Sequence, residues 1–231
     1  LRMFLCGEGV PNMNQGAANY AVRVLIQRVL GLACFWFGVR SVLGWPVWVY
    51  FGTSFMLAII SLVIMFRVNP ETLAQRGKVV TDSPAWDKVL LGFYWLLHFF
   101  VIHYIAGLEW KNAVPNRTLF WMGMGLIVLA FALAMAALVV NTYLESTARI
   151  QKEREQVVIK EGVYGVVRHP TYSAVLLSCL GISLVFGTPF VCLTAMVIAA
   201  IIVLRTYLED KLLQKGLAGY LEYTRDVRYR L

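Results

Sequence analysis

Two short stretches hold side chains able to grip a charged small molecule. In the first, Arg168-His169-Pro170-Thr171-Tyr172, Pro170 suits the opening position of a helix, where its missing N–H costs nothing, and His169 stands as the cap. The amides of Thr171, Tyr172 and Ser173 would then be unpaired at the helix start, a ready seat for a phosphate or carboxylate, with Arg168 and His169 as further donors. In the second, Arg205-Thr206-Tyr207-Leu208-Glu209-Asp210 carries the only adjacent acidic pair in the chain. Two acids beside an anion-binding helix start suit a zwitterion that has both an ammonium and a carboxylate. The plainer alternative is a set of juxtamembrane basic residues at a helix cap, with an Arg205–Glu209 surface pair worth about 0.2–0.5 kcal/mol. His98 and His103 invite a metal reading, but five residues of α-helix leave them about 140° apart, and ligands must converge on one point. They are expected to pack against neighbours such as Tyr94, and no metal is expected.

The elements that must position these residues follow from composition. The 231 residues are 59% hydrophobic and 15% charged, with a mean hydropathy of +0.67, against about 45–50% and 25% in soluble domains. A water-soluble globule and a disordered chain are both excluded. Apolar runs at 20–43, 45–66, 89–108, 118–140, 172–187 and 190–208 predict an all-α integral membrane protein with about six transmembrane helices, the fifth of them short. Gly44-Trp45-Pro46 and Gly187-Thr188-Pro189 mark tight turns, so helices one and two, and helices five and six, form hairpins. The second hairpin brings Glu209 and Asp210 close to Arg168-His169-Pro170. Asn69-Pro70-Glu71 announces a short helix at the membrane surface. Ala148-Arg149-Ile150 and Val157-Val158-Ile159 are expected to pair as a small β-hairpin.

The net charge of +8 marks orientation in a lipid bilayer rather than a nucleic-acid partner. Arg67, Arg76, Lys78 and Lys88 follow helix two, five basic residues follow helix four and six lie in the tail, whereas the opposite loops hold Lys111 and Arg117, with Arg40 nearby. That asymmetry puts both termini and the polar segments in the cytoplasm. Leu1–Gln15 is read as a polar lead-in without the order of a signal peptide. Arg28 is expected to snorkel to one head-group layer while Arg40 reaches the other, the alternative being a buried polar site. The four cysteines are scattered and read as small hydrophobes. Residues 1–140 form the lead-in and four helices, and 141–231 the chemistry-bearing part with its hairpin over 172–208.

Gly162-x-Tyr164, Arg168-His169-Pro170-x-Tyr172, Arg205-x-x-x-Glu209-Asp210 and Gly219-Tyr220-x-x-Tyr223-x-x-x-Val227-Arg228-Tyr229 occur in this order. The pattern resembles the isoprenylcysteine carboxyl methyltransferase and phospholipid methyltransferase superfamily of membrane enzymes, in a form similar to bacterial inner-membrane members. The resemblance implies a cytoplasm-facing region that binds S-adenosylmethionine, and a lipophilic or small thiol, carboxylate or amine acceptor. By position, Gly162, Tyr164, His169, Pro170 and Tyr172 match the cofactor motif, Glu209 matches the first residue of the acidic pair, and Arg205 the arginine before it. Arg168, Arg205 or Arg225 would hold an anionic acceptor against the methyl group, and Tyr164, Tyr172, Tyr220 and Tyr223 would offer aromatic faces to the sulfonium. Ala174 and Gly165 depart from the family's usual glycine and basic residue, and Asp210 from its second glutamate. Sterol reductases, which use NADPH, share a similar element, and a scaffold that keeps the fold without catalysis is a third reading.

Overall fold

The computed structural model describes residues 13–40, 42–78, 82–110 and 116–231. Most of the lead-in, Cys6 and Lys111 lie outside these residues. The described chain is helical with no strand: α1 (Met13–Gly38), α2 (Trp45–Val68), α3 (Pro70–Arg76), α4 (Ala85–Leu96), α5 (Ile102–Trp110), α6 (Arg117–Val140), α7 (Pro170–Phe186), α8 (Pro189–Gly216) and α9 (Tyr220–Asp226). Five spans are long and apolar enough to cross a bilayer, with α4 and α5 counted as one continuous span. The expected sixth, α7, is not among them: it is apolar but has 17 residues, about 25 Å at 1.5 Å per residue, at the lower limit for crossing. Large apolar side chains such as Phe37 (80% exposed) and Met196 (65%) point outwards, as lipid-facing residues must. This is an all-α integral membrane protein.

Local sequence sets the helix ends. The Asn69 side chain accepts from the Thr72 amide and Pro70 follows it, so the short surface helix α3 forms where the cap signal placed it. Asn116 likewise accepts from the amides of Thr118 and Leu119 to start α6. Gly187, at φ +62°, closes α7 in the left-handed conformation, and Pro189 opens α8. A partner from another span completes this turn: the Glu109 carboxylate accepts from the amides of Phe190 and Val191, an anion at a helix N-terminus.

The helices close around an aromatic core in which buried Phe35 packs against Phe51, Trp110 and Phe186 at centroid distances of 5.3, 6.1 and 5.9 Å. Where α6 crosses α7, backbone meets backbone. A Cβ on Gly123 would lie 2.6 Å from the Gly181 carbonyl oxygen, and one on Gly181 2.9 Å from that of Gly123. Small residues permit such an approach within a membrane.

Three expectations change. The hairpin at 148–159 does not form, because side chains take the bonds a ladder would use. The Gln151 amide donates to the Gln156 side chain, while Arg154 donates to the Thr142 carbonyl and to the Gln151 side chain. The His98–His103 angle also changes, because Leu97–Val101 winds as a π-helix between α4 and α5. One absorbed residue gives this pair the separation of an i,i+4 pair, roughly 40°, and both rings line the same cavity. His103 is satisfied there, donating from Nδ1 to the Phe99 carbonyl and accepting the Tyr50 hydroxyl at Nε2. Arg28, finally, does not snorkel, but lines the cavity with its guanidinium over the Phe99 ring at 5.6 Å.

Replacing Gly123 with leucine should force α6 and α7 apart at a cost of about 1–3 kcal/mol. The thermal midpoint in detergent would fall, whereas Gly125→Ala, with nothing within 4 Å of the added methyl, should leave it unchanged or raised.

Candidate active site

α7 begins where α8 nears its end, and the two meet at a buried carboxylate. Asp210 has no exposed surface. It receives Arg168 Nη1 at 3.0 and 3.2 Å, the Tyr220 hydroxyl at 3.0 Å and the Gln214 amide at 2.8 Å. His169 Nε2 lies 3.3 Å and Arg230 Nε 3.1 Å from its oxygens. The helix α8 runs past its apolar stretch to Gly216, so Glu209 and Asp210 sit on a rigid element with neighbouring but different surroundings. Asp210 is fully enclosed. Glu209 is half-buried, lines the cavity and accepts a hydrogen bond from the Tyr172 hydroxyl.

The tail finishes this junction. Val167 and Tyr229 form a parallel bridge, and the amides of Arg168 and His169 donate to the carbonyls of Tyr229 and Arg230. That pairing holds the Arg168-His169-Pro170 segment in place and delivers Arg230 to Asp210. Tyr223 donates to the Tyr164 carbonyl at 2.6 Å and packs edge-on against Tyr220. Burial, reinforced by Asp210, pushes the Tyr220 hydroxyl well above the ordinary phenol range, and burial pushes Tyr223 up to about 12. Both therefore act as donors at any neutral pH.

Arg205 has a buried partner that its sequence neighbours do not reveal. Its Nε donates to Asp87 at 2.7 Å and its Nη2 to the Ser146 carbonyl at 2.7 Å, and its guanidinium lies over the Tyr172 ring. Asp87, on α4 and without exposed surface, also accepts the Ala148 amide at 2.8 Å. The surface pair between Arg205 and Glu209 is thus replaced by a buried bridge between α8 and α4.

A cavity of about 420 Å³ connects these groups. Tyr164, Arg168, His169, Pro170, Tyr172 and Glu209 line it, as do Arg205, Tyr220, Tyr223 and Ala174. Arg225 is exposed and belongs to no part of the wall. Gly162, at φ +58°, opens the 3-10 turn that sets Tyr164 in the wall. The helix start offers fewer free amides than its sequence suggested. The His169 carbonyl takes the N–H of Tyr172 and of Ser173, leaving that of Thr171. The His169 ring does not cap the helix but stacks on Tyr172 at 5.6 Å, beside Asp210.

Residues 118–218 match the family model described as Phospholipid methyltransferase. That stretch is a phospholipid methyltransferase family domain, of the superfamily the motifs resembled. No curated protein matches the chain. The methyltransferase domain begins with α6 and contains Gly162, Tyr164, Arg168, His169, Pro170, Tyr172, Arg205, Glu209 and Asp210. It ends before Tyr220, Tyr223 and Arg230 and begins after Asp87, so the tail and α4 complete a site whose other residues lie within the domain. Among the described residues no group of three His, Cys, Asp or Glu side chains could hold a metal. Asp87, Gln214 and Arg230 were missed in the sequence. Only Asp87 carried a signal, as an acid at the start of an apolar helix.

Removing one member of the Asp87–Arg205 pair strands a buried charge, so Asp87→Leu should lower stability by about 3–5 kcal/mol. Asp87→Leu combined with Arg205→Met should recover much of that loss, measured as a double-mutant cycle of unfolding midpoints in detergent.

Proposed function

We propose that this membrane methyltransferase takes its methyl group from S-adenosylmethionine, bound at the α7–α8 junction, and passes it to a lipophilic or small acceptor lying in the membrane part of the cavity. The observation that carries this reading is the continuity of that cavity, from Glu209 and His169 in the family domain and Tyr220 just beyond it to side chains buried among the spans. S-adenosylmethionine supplies a methyl group already activated on a sulfonium, so the protein needs only to orient two reactants and keep water out.

The residues at the junction fit an amphoteric ligand. Glu209 carries a carboxylate with accepting capacity beyond the Tyr172 hydroxyl, suited to the cofactor's ammonium. The Thr171 amide and His169 suit its carboxylate. Tyr164, Tyr172, Tyr220 and Tyr223 surround the remainder with rings, a setting that favours a sulfonium by about 0.5–2 kcal/mol. Gly162 and Pro170 shape the backbone that holds Tyr164 and Tyr172. Asp210, by contrast, has its oxygens engaged and acts as the support of Arg168 and His169.

Arg168 and Arg205 are assigned the orientation of the acceptor's reacting group. Each is balanced by a buried aspartate, so it offers directed N–H donors without excess charge. The basic residues Arg76, Arg149, Arg154, Arg168 and Arg205 gather at one end of the bundle, which we assign to the cytoplasmic leaflet together with both termini.

Calorimetry on the purified protein tests the cofactor directly. S-adenosylmethionine and S-adenosylhomocysteine should bind, and Glu209→Gln should weaken both about ten- to a hundredfold, the worth of a hydrogen bond to a charged group. Binding of NADPH instead would overturn the assignment, and so would an unchanged affinity in the variant.

A further inference from the structure

The cavity has a second arm, lined by α1, α2 and the α4–α5 span, which precede the stretch matched by the family, and by α6 within it. Its charge differs in kind from that of the junction. Around the cofactor end each buried arginine has its aspartate, Arg168 with Asp210 and Arg205 with Asp87. Along the α1 arm three arginines line the wall, and none forms an ion pair with a carboxylate among the described residues. Arg23 donates to the Arg76 carbonyl, and Arg76 donates to the Tyr20 hydroxyl and the Leu144 carbonyl. Arg28 lies over the face of Phe99, and its buried Nε has no hydrogen-bond partner among the described residues. The wall holds two carboxylates, Glu145, clasped by Arg149, and Glu209 at the far end of the cavity.

Arg28 is therefore an uncompensated cation inside a membrane protein, turned into a cavity instead of towards a head-group layer. Among the described residues its surroundings supply polar groups but no negative charge. His98 stacks on Tyr94 with a buried Nδ1 that has no hydrogen-bond partner, and Gln27, Ser54 and Tyr50 share the wall. Charges buried in a span pair with an opposite charge, and such residues mark ligand sites when the protein offers none. The π-helical turn at Leu97–Val101 brings His98 and His103 into this arm, and irregular turns of that kind recur at functional sites.

Depth separates this charge from the methyl-transfer end. Phe99, beneath Arg28, stands twelve residues beyond Asp87, the partner of Arg205, or about 18 Å along the helix. We propose that the α1 arm seats an anionic group of the acceptor, with Arg28 as its counter-ion. The acceptor is then an amphiphile bearing a carboxylate or phosphate that is distinct from the atom receiving the methyl group. The word acceptor rests on the methyltransferase reading, whereas the anion seat stands without it.

Binding of three probes to the full chain in neutral detergent tests the seat: hexadecanoate, hexadecyl phosphate and the uncharged methyl hexadecanoate. At least one anion should bind tenfold or more tightly than the ester, and the tighter of the two names the group. Arg28→Gln should abolish the preference while leaving ester binding and S-adenosylhomocysteine affinity unchanged, and Arg28→Lys should retain part of it. The thermal midpoint of Arg28→Gln should hold or rise, because a structural arginine would lower it and a ligand-holding one would not. Equal binding of all three probes by the native chain overturns the proposal whether or not any variant folds. So does a preference that survives Arg28→Gln. Loss of S-adenosylhomocysteine binding in the native chain would count against the cofactor assignment alone.

Discussion

A carboxylate sealed inside a protein can stay ionised only when surrounding donors replace the water it has lost. Asp210 meets that condition with donors from three places in the chain, Arg168 and His169 before α7, Gln214 one turn further along α8 and Tyr220 on α9, and with an ion-pair contact from Arg230 in the tail. Because each donor must arrive for the carboxylate to be tolerated, the site cannot form piecemeal. The tail pairs with Arg168 and His169, α7 starts at a fixed point, and Tyr172 comes within reach of Glu209. Asp87 does the same one layer deeper, joining α8 to α4 and to the segment after α6.

The distribution of charge then divides the cavity into two chemical regions. At the α7–α8 end, cations and anions balance, which suits a cofactor that carries both signs. Along α1, cations stand without carboxylate partners among the described residues, which suits a ligand that carries net negative charge. The two regions also differ in origin, since Arg168, Arg205 and Glu209 lie in the methyltransferase domain, whereas Arg23, Arg28 and Arg76 lie on helices that precede it.

Much of the fold was legible because membrane spans announce themselves through length and apolarity. The runs at 45–66 and 118–140 lie within α2 and α6, and the cap at Asn69 produced α3. The meeting of Arg168 with the Glu209-Asp210 pair was also legible, since a helical hairpin with a tight Gly-Thr-Pro turn leaves little freedom in where its ends lie. Interactions between distant segments were not. Nothing near Arg205 in sequence points to Asp87, 118 residues away, and nothing near Asp210 points to Arg230. The two histidines were misjudged for a different reason. Their expected angle assumed regular α-helix, and a single π-turn rotated one towards the other. Local strand propensity at 157–159 likewise yielded to side-chain bonds, one accepted by Gln156 from the Gln151 amide and one donated by Arg154.

A structure of the chain in complex with S-adenosylhomocysteine examines the central claim most directly. The nucleoside should lie between the first turn of α7 and the Glu209 face of α8, with its amino acid end near Glu209 and Thr171 and its sulfur directed towards Arg205 and the membrane arm. Density for the ligand on the outer surface of the bundle, or within the α1 arm beside Arg28, would contradict the account.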